Sequence, residues 1–169
     1  MKRSRVLFLL LIVTLLMALL MANAALANED QRQFMASLKG ANEVPPNESH
    51  GVGRAIVRVN RDNSALSYRL SAFNIDGVTQ AHIHCGPVDQ NGPVVLFLYG
   101  FNPDGIAPDG LFAQGTGTDE DIIPRDSSDV CPGGVASMAD LIAHIRAGNA
   151  YVNVHTFDFP GGEIRGQLN

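Results

Sequence analysis

The sequence predicts an all-β domain: an antiparallel β-sandwich or Greek-key barrel of about seven or eight strands with one short helix. Three observations carry this. Short segments alternate polar and apolar residues with the two-residue period of a half-buried strand. Turn-forming residues punctuate them throughout, with 17 Gly and 9 Pro in 169 residues. Only one stretch has helical spacing, and many short strands with little helix define a sandwich or barrel.

In chain order, residues 34–40 alternate as a first strand, and a turn-rich loop with Pro45-Pro46 fills 41–51. Residues 52–60 and 64–73 alternate on either side of Arg61-Asp62-Asn63, a tight-turn signal, and form a hairpin with one core face. Strands follow at 80–84 and 93–99. The second contains the continuous apolar run Val94-Val95-Leu96-Phe97-Leu98, which predicts burial on both faces. Residues 101–110 are loop, 111–118 a strand, and 119–134 a long irregular stretch. Ser137 and Asp140 have capping-box spacing, Leu141, Ile142 and Ile145 make a helical stripe, and Gly148 can end it. The last two strands are expected at 150–156 and 163–168, joined by Asp158-Phe159-Pro160-Gly161-Gly162.

Residues 1–27 have the form of a secretory signal peptide. Lys2, Arg3 and Arg5 precede an apolar run from Val6 to Met21, and Ala22-Asn23-Ala24 and Ala25-Leu26-Ala27 offer small-x-small cleavage patterns. The competing reading, an uncleaved membrane anchor, needs a longer span. The expectation is a single exported domain over 28–169, periplasmic or extracellular and not membrane-bound once the leader is removed. Without the leader, nine Lys and Arg face seventeen Asp and Glu, so the net charge moves from -5 to about -8. Such an acidic domain is a poor candidate for nucleic acid or anionic membrane surfaces. Oligomeric state is not specified by any pattern.

Cys85 and Cys131 are the two cysteines. In an exported protein an even pair suggests one disulfide. The alternative makes Cys85, next to His84, a thiolate metal ligand, although its side chain would leave the strand on the opposite face.

The sharpest chemistry lies in two strand-like segments, Gln80-Ala81-His82-Ile83-His84 and Tyr151-Val152-Asn153-Val154-His155-Thr156. His82 and His84 share one face, and Asn153 and His155 share another. If Ala81, Ile83, Val152 and Val154 point to the core, all three imidazoles emerge on the outer face of a sheet. Three histidines can hold one metal ion and leave a position for water or substrate. The competing account makes them polar members of a structural network. His50 reads as a mobile loop residue and His144 as a helix-surface residue. Glu163, Arg165 and Gln167 share one strand face, where a cross-strand ion pair is the plainer expectation, and Glu43 is expected to fasten its loop to backbone donors or to Arg165. No nucleophile elbow or phosphate loop is present, and the scattered acids from Asp104 to Asp121 do not match a calcium loop.

Five motifs in order, Asn42-Glu43-Val44-Pro45-Pro46, Ala81-His82-Ile83-His84-Cys85-Gly86, Asn91-Gly92-Pro93-Val94-Val95, Tyr151 to Thr156 and Pro160 to Gln167, resemble the CHRD domain over about residues 34–168. That domain is named for repeats in the extracellular protein chordin. The resemblance implies an extracellular or envelope setting and, by analogy, a protein partner. A second resemblance, to copper-zinc superoxide dismutases, rests on His82-x-His84-x-Gly86, the later Val154-His155 and the terminal Gly162-x-x-Arg165. It implies copper on His82, His84 and His155, with Arg165 as an anion guide. It lacks a bridging histidine and a zinc-binding His/Asp cluster, so only a copper site transfers. Two functions therefore compete: a copper-binding protein in storage, redox defence or superoxide chemistry, and a non-catalytic binding or structural module.

Overall fold

A computed structural model describes residues 31–169. The leader-like segment 1–27 lies outside the described residues. Eight strands form: β1 (Gln33–Lys39), β2 (Val52–Val59), β3 (Ala65–Phe73), β4 (Val78–Cys85), β5 (Val94–Tyr99), β6 (Gly110–Thr118), β7 (Ala150–Thr156) and β8 (Ile164–Gln167). Among the described residues there are also one helix, α1 (Met138–Arg146), and two single 3₁₀ turns. None of the described helices is long and apolar enough to cross a membrane.

All pairings are antiparallel, and the strand order is β5-β4-β7-β8-β1-β2-β3-β6. The sheet curls until its two ends face each other. There Ile123 donates its N–H to the Val95 carbonyl at 3.0 Å, and Arg125 Nε donates to the Val94 carbonyl at 2.8 Å. The core follows the predicted alternation: Phe34, Ala36 and Leu38 from β1, Ala55 and Val57 from β2, Ala81 and Ile83 from β4, and Val152 and Val154 from β7 are buried. α1 begins at the expected Ser137 cap, whose hydroxyl and the Asp140 carboxylate satisfy each other's backbone donors. It buries Met138, Leu141, Ile142 and Ile145.

Residues 94–98 differ from expectation. Phe97 is 43 % exposed, so β5 is not buried on both faces. It ends the strand order, and Phe97, opposite His82 in register, stands on the outer face of the sheet, away from the core.

Candidate metal centre

β4 and β7 are direct neighbours, with His82 opposite Asn153, His84 opposite Tyr151 and Gln80 opposite His155. His155 therefore lies diagonally across from His82, a separation that ring side chains bridge. His82 Nδ1 and His155 Nε2 are 3.0 Å apart, and one ligand nitrogen from each of His82, His84 and His155 lies within 4.8 Å of the others. Neither His50 nor His144 belongs to this group.

Backbone carbonyls orient two of the rings. Because a carbonyl only accepts, the nitrogen facing it must carry the proton. His84 Nδ1 donates to the Gly92 carbonyl at 2.8 Å and His155 Nδ1 donates to the Pro160 carbonyl at 2.9 Å. Both rings thus turn an Nε2 lone pair inward. The His84 Nε2 and His82 Nε2 atoms are buried with no hydrogen-bond partner. Buried polar atoms are rarely left so, and an unpaired imidazole lone pair beside two others is what a divalent or monovalent soft cation takes up. The Asn153 amide, 3.0 Å from His155 Nε2, completes the polar wall.

The histidines lie on the sheet face opposite the core, as alternation predicts, but that face is not open to solvent: each is at most 7 % exposed. Three loops fold across it. Asn91 donates to the Val44 carbonyl at 2.6 Å, and Asn47 to the Glu163 carbonyl at 3.0 Å. The 158–162 turn brings up the Pro160 carbonyl. Phe97 stands edge-on to His82 with ring centroids 4.4 Å apart.

Burial sets the protonation state. It pushes His82 down to about 3, helped by the neighbouring His155 and His84. It pushes His84 down to about 4 against the opposing Gly92 hydrogen bond, and lowers His155 too. All three are neutral at neutral pH, so a metal does not compete with protons for them.

Arg165 is 1 % exposed. Its guanidinium donates to the Pro87 carbonyl at 2.7 Å, the Gln90 carbonyl at 2.9 Å and Asn91 Oδ1 at 3.0 Å. Its Cζ lies 3.4 Å from the Tyr151 ring centroid, and the same ring stacks on His84 at 4.7 Å. With β7 between β4 and β8, the phenol is flanked by an imidazole from one neighbour and a guanidinium from the other. Glu163 makes no ion pair with a described residue: its carboxylate accepts from Ser49 Oγ and from Thr156 Oγ1, both at 2.6 Å. Glu43 meets the two partners expected of it only weakly: its Oε1 is buried without a partner, and burial raises its carboxyl to about 7 against the attraction of Arg165 and a hydrogen bond from the Val44 backbone.

Cys85 and Cys131 form a disulfide across 46 residues. The Cys85 sulfur is therefore bonded on the core side of β4, where it is no ligand for the histidine site. His144 is half-buried rather than surface-lying: Nε2 is 3.0 Å from the Gly134 carbonyl and 3.8 Å from Cys131 Sγ. Tyr151, Gly92 and Pro160 have no role assigned by the sequence, although all three lie within the CHRD-like motifs, and Tyr151 also shares the parity of Asn153 and His155.

Fold and site together define an antiparallel eight-stranded β-barrel or sandwich with a buried three-imidazole pocket beside one sheet. The family model of the CHRD domain matches residues 34–168, and the chain belongs to that family. No curated protein and no solved structure matches it.

Proposed function

We propose that this CHRD domain is an exported copper-binding protein that holds one copper ion through His82, His84 and His155. The observation that carries the reading is the pair of buried, unpartnered Nε2 atoms, on His82 and His84, within a cluster of neutral imidazoles. His84 and His155 fit as Nε2 ligands, each with its other nitrogen fixed by a carbonyl, the arrangement that orients metal-bound imidazoles. The donor set suits copper or zinc, and the layout shared with copper-zinc superoxide dismutases favours copper. Bound there, copper would supply one-electron chemistry. The chain's own residues shield the site: Phe97 and the 86–92 loop cover it, and Arg165 and Tyr151 hold that loop and the His84 ring in place. With its donors engaged, Arg165 is better placed as a positioning residue than as an anion guide. The leader-like residues 1–27 support export.

A structural histidine network is the second reading, favoured by the carbonyl bonds of His84 and His155. Elemental analysis and titration of residues 28–169 with Cu(I), Cu(II) and Zn(II) separates the two. The expected result is about one equivalent of tightly held copper, lost in His82→Ala and in His155→Ala. Absence of binding for all three ions, with the fold intact by circular dichroism, overturns the proposal.

A further inference from the structure

The charge of this acidic domain is segregated. Between residues 28 and 169 there are seventeen carboxylates, yet β1, β2, β3 and β6, which are consecutive in the sheet, contain no Asp or Glu at all. Their outward positions carry four of the nine cations: Lys39, Arg54, Arg58 and Arg69, all exposed. Register groups three of them. Arg69 lies opposite Ile56, while Arg54 lies opposite Ser71 and Arg58 opposite Ser67, so Arg69 sits diagonally between the two β2 arginines. None of the four has a carboxylate partner among the described residues. Arg54 reaches Met35 Sδ and Arg58 donates to Gln33 Oε1. Beside the triad is a shallow depression of about 420 Å³ lined by Arg58, Ser67, Arg69, Gln114 and Thr116.

We propose that this face docks an anionic polysaccharide, one bearing sulfate, carboxylate or phosphate groups. Charge complementarity selects a polyanion: four cations with no carboxylate partner among the described residues, on an otherwise acidic molecule, attract one and orient the domain toward it. Guanidinium forks match oxyanions in bidentate fashion. Ser67, Ser71, Gln114 and Thr116 between them offer hydroxyl and amide partners for sugar hydroxyls. Ile56, at the centre of the triad, is half-buried beneath the arginines. With Met35 exposed opposite Ile56, the centre sets a short apolar strip among more numerous charges and hydrogen-bonding groups, which suits a hydrated polymer better than an acyl layer or a protein hot spot. The face is independent of the histidine pocket, so the two proposals stand or fall separately.

The test is binding of residues 28–169 to immobilised dextran sulfate over a range of salt, with neutral dextran, polyglutamate and anionic phospholipid vesicles in parallel. Wild type is expected to bind dextran sulfate with an affinity that falls steeply as salt rises. Arg58→Gln/Arg69→Gln should bind about tenfold more weakly or worse, whereas Ala107→Glu/Ala143→Glu, with the same change in net charge elsewhere, should bind within about twofold of wild type. Thermal melts confirm that both pairs fold. The proposal is overturned by no binding at low salt, by equal losses in the two pairs, or by tighter binding to polyglutamate or to vesicles than to dextran sulfate.

Discussion

At the residue scale the histidine pocket depends on one small residue that acts through its backbone alone. A Cβ on Gly92 would fall on the Cys85 carbonyl, and the Gly92 carbonyl is the group that orients His84. Gly92→Ala must push the 91–93 backbone off β4 and carry that carbonyl with it. The expected cost is about 2–3 kcal/mol of stability, as for other overpacked sites. Copper affinity should fall about 10- to 100-fold, the usual effect of losing a ligand's orienting partner. Gly161→Ala is the control, because nothing lies near its Cβ and its backbone is unstrained; it should stay within about 0.5 kcal/mol. Chemical denaturation and copper titration of the two variants check this, and equal behaviour would sink the orienting role of Gly92.

At the scale of elements, what is local was legible in sequence and what is distant was not. The Ser137 cap, the α1 stripe and the strand alternation are all set within a few residues, and each forms as read. The continuous apolar run of β5 misleads because composition does not report what covers a sheet face: Val95, Leu96 and Leu98 are buried, while Phe97, on the outer face opposite His82, is exposed. The burial of the histidine face was hidden for a related reason. Its cover is tied down by contacts between residues far apart in the chain: Asn91 to Val44, Arg165 to Pro87 and Gln90, and Asn47 to Glu163. No window of sequence contains both partners. The disulfide is one more long-range tie, from the end of β4 into the irregular 119–134 segment, and its even-pair logic was visible. Closing a 46-residue loop restricts the unfolded chain, which in the chain-entropy model is worth about 3–4 kcal/mol. Cys85→Ala/Cys131→Ala is therefore expected to unfold at lower denaturant by about that amount, and so is the reduced wild type. An unchanged midpoint in both would mean that the irregular segment is held by its other contacts, such as the paired Arg125 and Val135 backbones.

For the whole molecule, two buried polar groups set opposite responses to pH in the metal-free protein. The histidines titrate near 6.5 in the unfolded chain, but His82 and His84 are pushed to about 3 and about 4 by folding, and His155 moves the same way. The unfolded chain therefore binds more protons through this range, and stability falls as pH drops from about 6.5 toward the folded values. Glu43 works in reverse. Its carboxyl rises from 4.5 to about 7 on folding, so its contribution is complete below 4.5 and is lost as pH climbs through 7. With three imidazoles against one carboxyl, acid destabilisation should dominate below pH 6.5, offset in part by Glu43. Glu43→Gln separates the two effects, because it keeps the shape and removes the charge. It should match wild type at pH 4, where Glu43 is already neutral. At pH 8 it should be more stable by about 1–2 kcal/mol, a figure reduced from the full shift to allow for screening and for imperfect replacement. Denaturant midpoints of both proteins between pH 4 and pH 8 measure this directly. A stability difference that is the same at both ends of the range would show that Glu43 is not held near neutrality by its burial, and that the loop over the histidines is fastened by an ionised carboxylate after all.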